Sequence, residues 1–558
     1  MITEMKKIII SIFGAVLISL CGCSLEENPY SITAGKLSET ETGAEQLVTG
    51  VYGTFWDNWM MEQTYMAWVD QDHDHCMAPA WVLNSAGTGD VTSHYSYNGF
   101  NDLWSVFYRL INRTNSAMET LSETASFKDG NEVFRQYYGE MLFMRAFAYF
   151  HLVRMYGAVP LKLTSQSDSE CPRSSVKDIY DTITKDLESS LEYLHYPSEG
   201  NVGAWGHADK TAAQILLARV YCTMGASALT HEGVKMICDI KGTDTTFDCD
   251  KVAGAEGIDA EACYRRAKEL CDEVIQRKGT DFDMMPNYLS LWGGNNRKNK
   301  EFVWGANSNA MQEYCSAGLA YYCTPAPYGG AGAWLYLSPH LYDLYDEQDH
   351  RQVYGVWHYY RTSYTGKWYG YPYNSEKYNE ENMPAELSAF YSGFSNNKNA
   401  APCCTKWYNG DIANPSLYTA KQAQYVDQDV VLIRFAEAYL LRAEAQVELG
   451  NIDDAMADID VIRSRANAST LYYGVVTDKV EARSLVLKER GLELCQEFNR
   501  KFDLLRWGLY LDVMNTTQNI TLNTNVRSLV RTEKNLLYAI PTNEIAENSL
   551  LGGNNYGY

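Results

Sequence analysis

Between Val133 and Tyr156 lies a stretch that few folds can house. Tyr138, Leu142, Ala146, Tyr149, Phe150 and Val153 recur at helical spacing, and Met141, Ala148, Leu152 and Met155 form a second stripe beside them. A helix apolar on more than one face belongs at the centre of a helical assembly. Gly157 and Pro160 end it, Gly by supplying a left-handed cap and Pro by withholding a hydrogen-bond donor.

Other helices follow the same logic. From Ser175 to Leu194, one face carries Val176, Ile179, Ile183, Leu187, Leu191 and Leu194, and Ser175 and Asp178 are placed to satisfy free amides at the start. A helix from Asp209 with Ala213, Leu216, Leu217, Val220 and Met224 stops at Gly225, and these two segments are expected to form a hairpin. A third candidate covers 261–277, with Cys263, Ala267, Leu270 and Val274 inward. The clearest pair is Val430 to Leu449 and Asp453 to Ala466, separated by Gly450-Asn451; Ala438, Leu441, Ala445 and Leu449 face Ile452, Ala455, Ile459, Ile462 and Ala466. Small Ala at the crossing permits close approach, and this pair resembles a tetratricopeptide unit, whose repeat is about 34 residues. The remaining pairs are more degenerate units of the same kind.

Between these blocks, 62–100, 226–260, 278–428 and 509–545 are rich in Tyr, Trp, Gly, Asn and Pro and carry few sustained stripes. They are too large to be plain connections and are expected to form a loop-dominated half packed on the helices. The chain of 558 residues, 46% apolar, can bury a large core, as one domain or as two packed halves. Aromatics make up 13%, with 42 Tyr and 13 Trp, and in loops such rings serve either as flat platforms for a ligand or as local packing.

The amino end sets the compartment. Lys6 and Lys7, an apolar run from Ile8 to Leu20, and Leu20-Cys21-Gly22-Cys23 have the order of an export signal, and the run is too short for a stable transmembrane span. Leu20 and Gly22 before Cys23 resemble the bacterial lipobox, in which the Cys becomes a lipidated amino terminus. Residues 1–22 are thus read as a lipoprotein signal peptide and 23–558 as the mature body, whose formal charge moves from −23 to −24 as Glu4, Lys6 and Lys7 leave. Nucleic acid is a poor partner for that field. Of 14 Cys, twelve remain besides Cys21 and Cys23. Cys238/Cys249 and Cys315/Cys323 have loop-like spacing compatible with disulfides, whereas Cys222, Cys263, Cys271 and Cys495 lie in helical patterns as small hydrophobes.

Several strings then appear in a consistent order: Met141 to Leu161, through Arg145, Arg154, Gly157 and Pro160; Arg173 with Asp186-Leu187; Ala212-Ala213 with Ala218-Arg219; Ile433-Arg434-Phe435-Ala436-Glu437 with Glu444; Ile462-Arg463-Ser464-Arg465; Glu489-Arg490; Phe502-Asp503-Leu504 with Arg506-Trp507-Gly508; and Ile540-Pro541. Together they resemble the SusD/RagB family of nutrient-uptake outer-membrane lipoproteins across nearly the whole mature chain. The tail departs, reading Gly553-Asn554-Asn555-Tyr556-Gly557-Tyr558 where the family often closes on a Gln-Asn-Pro-Gly-Tyr-like end.

The resemblance implies a mostly α fold: tetratricopeptide-like hairpins (about 101–225, 261–277 and 429–508) packed against a large irregular ligand-binding half (about 62–100 and 278–428), all in one domain. It also implies a surface-facing outer-membrane lipoprotein, anchored through Cys23, that delivers oligosaccharides to a SusC-like TonB-dependent transporter. A peptide-binding, RagB-like version is the nearest alternative, and a tetratricopeptide scaffold for protein assembly is another. Charges on or beside the apolar stripes, Arg434, Glu437, Glu444, Arg463, Arg465, Glu489, Arg490 and Arg506, are expected to pair in a buried lattice.

Ligand contacts are expected from rings flanking low-bulk stretches: Trp81, Tyr95 and Tyr97 in the early region where the family places part of its ligand arc, Tyr328 and Trp334 around Gly329-Gly330-Ala331-Gly332-Ala333, and Trp292 before Gly293-Gly294. Trp104 is assigned to the core. Asp70 and Asp72, in Asp70-Gln71-Asp72-His73-Asp74-His75-Cys76, are kept as polar contacts because SusD-like proteins often place such contacts here. That segment fails as an EF-hand, with His75 at the sixth position and Trp81 at the twelfth, so no metal and no cofactor are assigned. Catalysis has no motif: there is no Gly-x-Ser-x-Gly elbow, and His231-Glu232 lacks the second His of a zincin.

Overall fold

The computed structural model describes residues 39–558 except 62–64, 66–68, 71, 78–98, 201–202, 204, 231, 238–243, 251, 294–295, 310, 312–317, 326–327, 329–334, 362–366, 389–392, 397–401, 413–414, 416–426, 471 and 517–529. Cys23, Trp81, Tyr95, Tyr97 and Trp334 lie outside the described residues.

The principal helices of the first half are α1 (Glu41–Tyr52), α2 (Gly99–Glu123), α3 (Glu132–Tyr156), α4 (Val176–Ser190), α5 (Lys210–Ser227) and α6 (Ala260–Gln276). Those that follow are α7 (Pro339–Asp343), α8 (Phe435–Glu448), α9 (Ile452–Arg465), α10 (Lys479–Glu493) and α11 (Arg500–Arg506). As its sequence requires, α3 is buried on every side, from Phe134 through Tyr156, and its Gly157 cap adopts φ +71°. Its neighbours are α2 and α4. Ser175 Oγ accepts the Asp178 N–H at 3.1 Å to start α4, and Asp209 does the same for Ala212 at 2.8 Å to start α5.

Pairing within this half differs from the expected hairpin of 175–194 on 209–225. Helix α4 packs chiefly on α3, and α5 chiefly on α6. The α6 face with Cys263, Ala267, Leu270 and Val274 is buried between α5, itself buried nearly all round, and α8, and this is what takes α5 away from α4. Helices α8 and α9 form the expected hairpin across Gly450 (φ +86°), and α8 also contacts α6 and α10.

A second correction concerns Val430. Residues Val430–Arg434 form strand β10, not the first turns of a helix. It pairs antiparallel with β4 (Phe302–Ala306), and Val431 sits opposite Gly305. A short run of branched residues buried on both faces is satisfied by a ladder, and helical periodicity does not separate the two. A Cβ at Gly305 would lie 2.1 Å from the Val430 carbonyl oxygen, so glycine is what permits this approach.

The remaining strands are short pairs: β1 (Cys76–Met77) with β5 (Tyr336–Leu337), β2 (Glu232–Ile237) with β3 (Asp244–Cys249), β6 (Val356–Trp357) with β9 (Cys403–Cys404), and β7 (Tyr359–Arg361) with β8 (Trp368–Gly370). The β2–β3 hairpin lies on α10 and thereby gives regular structure to part of the stretch read as irregular. Cys249, its last residue, is buried, and Cys238 and Cys315 of the two candidate pairs lie outside the described residues. Cys222, Cys263, Cys271 and Cys495 are buried as expected.

The closing segment is held by specific bonds despite its departure from the family ending. Asn555 Nδ2 donates to the Tyr156 and Tyr538 carbonyls at 2.9 and 2.8 Å, and Arg173 Nε donates to the Leu551 carbonyl at 2.9 Å.

Candidate functional site

The segment from Asp70 to Cys76 is an acidic strap pulled into the protein by cations from the far end of the chain. Asp72 accepts Lys501 Nζ at 3.2 Å and Arg531 Nη2 at 2.9 Å, with the Tyr510 hydroxyl on the same carboxylate. Burial opposes ionisation of Asp72, yet Lys501, Arg531 and Tyr510 together hold its carboxyl well below the usual carboxylate range. Asp74 is gripped at both oxygens by Arg500, at 2.8 and 2.6 Å, and Asp70 Oδ1 lies 3.1 Å from His73 Nε2. Asp70 and Asp72 are 1% and 3% exposed, so in this structure they brace the strap and offer nothing to a solvent-borne ligand.

Trp292 and Tyr328 are likewise inside. Trp292 packs on Phe302 and Trp407 at centroid distances of 5.3 and 5.8 Å, under the Lys406 ammonium. Tyr328 stacks on Trp357 at 3.8 Å and donates its hydroxyl to the Tyr359 carbonyl at 3.0 Å. These rings form the core of the loop-rich half, with Tyr288, Trp368 and Tyr408. Their faces are taken by protein rings, which is the physical reason the platform reading does not suit them here. Trp104 is core as assigned, edge-on to Tyr156 at 5.0 Å.

The structure joins the strap to the region after the glycine-rich stretch. In the β1–β5 ladder Cys76 pairs with Leu337 and Met77 with Tyr336, and the Ser338 N–H donates to the His75 carbonyl at 2.9 Å. In sequence, Trp81 stands four residues after Met77 and Trp334 two before Tyr336, and both lie outside the described residues. Among the described rings of 278–428, Tyr373 is the most exposed, at 46%, between Pro372 and the left-handed Asn374. The sequence reading missed it, although Pro-Tyr-Asn is a turn signal.

The scaffold beneath is held by the expected charge lattice. Arg434 donates to Glu301 (2.7 Å), Glu493 (3.0 Å) and Glu497 (2.7 Å). Arg465 shares Glu301 and Glu493, Arg351 and Arg463 share Glu489, and Arg506 bridges Glu444 and Asp503. Arg219 pairs with Glu437, and Arg490 with Asp503. Glu301 and Arg351 come from the loop-rich half, so the lattice bolts that half to the helices. A cavity of about 800 Å³ opens elsewhere, beside the end of α3 and α11, lined by Arg154, Tyr180, Ile258 and Leu537. None of Asp70, Asp72, Trp292 and Tyr328 lines it. Among the described residues no helix is long and apolar enough to cross a membrane.

Stacked helix hairpins bolted by buried ion pairs to an irregular, ring-rich half define a helical-repeat protein of the tetratricopeptide-like kind. The description "SusD family" matches residues 300–558, and "Starch-binding associating with outer membrane" matches 25–222. The chain belongs to the SusD/RagB family. Over 98% of each chain it is 22% identical to SusD-like protein P25 of Formosa agariphila. A SusD homolog from Bacteroides thetaiotaomicron superposes with a TM-score of 0.73 at 18% identity, covering 96% of this chain and all of the other. Surface glycan-binding protein A from Bacteroides fluxus gives 0.65 at 19% identity, covering 93% of this chain and 100% of that one. At these identities the solved structures share the fold.

Proposed function

We propose that the mature protein is a lipid-anchored protein of the outer-membrane surface that captures an oligosaccharide by ring stacking and passes it, unaltered, to a SusC-like TonB-dependent transporter. The family description as starch-binding and outer-membrane associated, and the name of the glycan-binding relative from Bacteroides fluxus, support this reading. The observation that carries it is the match of residues 25–222 to the starch-binding description, and Trp81 and Trp334 are taken as the stacking rings from their sequence context alone. Sugar C–H faces stack on such rings while polar groups orient the hydroxyls. Tyr95 and Tyr97 belong to the same early region, and Tyr373 adds an exposed ring. Affinity is modest, since a few stacking contacts offset only part of the association entropy and the ligand must be released again.

The test is a glycan array followed by titration calorimetry on the best binder. Trp81→Ala and Trp334→Ala weaken binding by about tenfold or more, as loss of a ring contact of about 1.4 kcal/mol requires, with the circular dichroism spectrum unchanged. Unchanged affinity in both variants removes the site assignment. Binding on a peptide array without binding on the glycan array replaces the oligosaccharide by a peptide.

A further inference from the structure

We propose that Asp74, His75 and His340 form a binding site for one divalent transition-metal ion of the zinc type, at the base of the β1–β5 ladder. The three side chains come from two segments that the ladder holds together: Asp74 and His75 precede β1, and His340 lies on α7 just after β5. One donor atom from each lies within 4.8 Å of the other two, and all three residues are buried. His75 Nε2 is 3.5 Å from Asp74 Oδ2, close to the ~3.3 Å between donors that a tetrahedral ion with bonds of about 2.0–2.1 Å demands. The two imidazole rings are 6.3 Å apart, so the ion draws the His340 donor inward by a side-chain rotation.

The site is closed to bulk water: His75 is 2% exposed, its Nε2 faces Asp74, and its Nδ1 lies on the side of the ring that packs against the Gly491 backbone. Both histidines border a cavity of about 250 Å³, which Arg500, Ser484 and Glu481 also line. That space holds a water or an exogenous donor as the fourth ligand.

The donor set selects the ion. Two imidazoles and one carboxylate suit zinc and its neighbours, whereas calcium and magnesium want oxygen alone. Arg500 donates to both oxygens of Asp74, and a carboxylate has further lone pairs to offer a metal, so the guanidinium becomes the outer partner that orients the ligand. The Gly491 backbone lies against the His75 ring, where a Cβ would come within 2.3 Å of Cε1, and this contact fixes the ring plane. Occupancy would lock the strap to α7.

The test uses tag-free mature protein, stripped with chelator and titrated with zinc chloride against a chromophoric competitor. One equivalent of zinc per chain is expected, with a rise in the melting temperature. His340→Gln lowers the affinity by at least the about 10- to 100-fold that loss of an outer partner costs, while its metal-free melting curve matches that of the wild type. Zinc-edge X-ray absorption of the wild-type complex, which needs no variant, counts two imidazole ligands. Failure of the wild type to retain stoichiometric zinc, equal affinity in His340→Gln, or a spectrum without imidazole scattering overturns the site. Glycan affinity is measured separately, so a failed metal site leaves the capture reading untouched.

Discussion

Arg434 donates to three carboxylates at once, and that valence is what lets a guanidinium persist where the side chain is fully buried. Burial works against its charge, yet Glu497, Glu493 and Glu301 raise its pKa well above the ordinary arginine value. Arg434→Met keeps the length and removes the charge, leaving those three acids facing one another in the interior. Removing one partner of a buried pair costs about 3–5 kcal/mol, so urea unfolding of this variant shifts by that order; a loss under about 1 kcal/mol would show that the acids find other partners. That such arginines lie beside apolar stripes is legible in the sequence; their partners are not, because Glu301 and Glu497 lie 133 and 63 residues away. Asp72 reads as a ligand contact for the same reason, its partners Lys501 and Arg531 being 429 and 459 residues distant. Trp292 and Tyr328 stand beside glycines that signal a loop, and local composition does not say whether a loop ring faces solvent or closes a cluster such as Trp357 on Tyr328.

At the scale of elements, caps and stripes make most helices legible: Ser175, Asp209 and Gly157 stand where helices begin or end. The strand at Val430 is hidden because its partner at Phe302 is remote and a ladder leaves no local period. The Asp209 cap has a cost that the sequence also hides. Burial, with Asp281 and Glu140 nearby, pushes its carboxyl up to about 7 against the bonds from Ala212 and Thr211. Since the folded value lies above the unfolded value of 3.8, this group's contribution is fully present below about pH 4 and is lost as pH rises through about 7. Asn caps as well as Asp and does not ionise. Asp209→Asn therefore flattens the stability curve between pH 4 and 7 and gains about 1–4 kcal/mol at pH 8, at about 1.4 kcal/mol for each tenfold change in proton affinity on folding. Denaturant midpoints across that range check it, and parallel curves for the two proteins would refute the assignment.

Over the whole molecule, the lattice and the β1–β5 and β4–β10 ladders weld segments far apart in sequence into one body. That body carries a formal charge of −24 once residues 1–22 are gone, which gives it no electrostatic pull toward an anionic membrane surface. On the proposed function, attachment comes from lipid. Each buried methylene contributes about 0.8 kcal/mol, and two acyl chains suffice for stable anchoring where one does not, so a diacylated Cys23 would hold the mature chain without any inserted helix. Cys23→Ser removes the acceptor thiol and leaves the described fold untouched, since the residues that make it begin at 39. The wild type is expected to take up labelled palmitate and to enter the detergent phase on cloud-point partitioning; the variant stays aqueous, unlabelled, and binds the same glycan in solution. On the proposed function, cells carrying only the variant lose growth on that glycan, because capture away from the membrane does not feed the transporter. An unlabelled, aqueous wild type would place attachment elsewhere, and normal growth with the variant would mean that capture does not require the anchor.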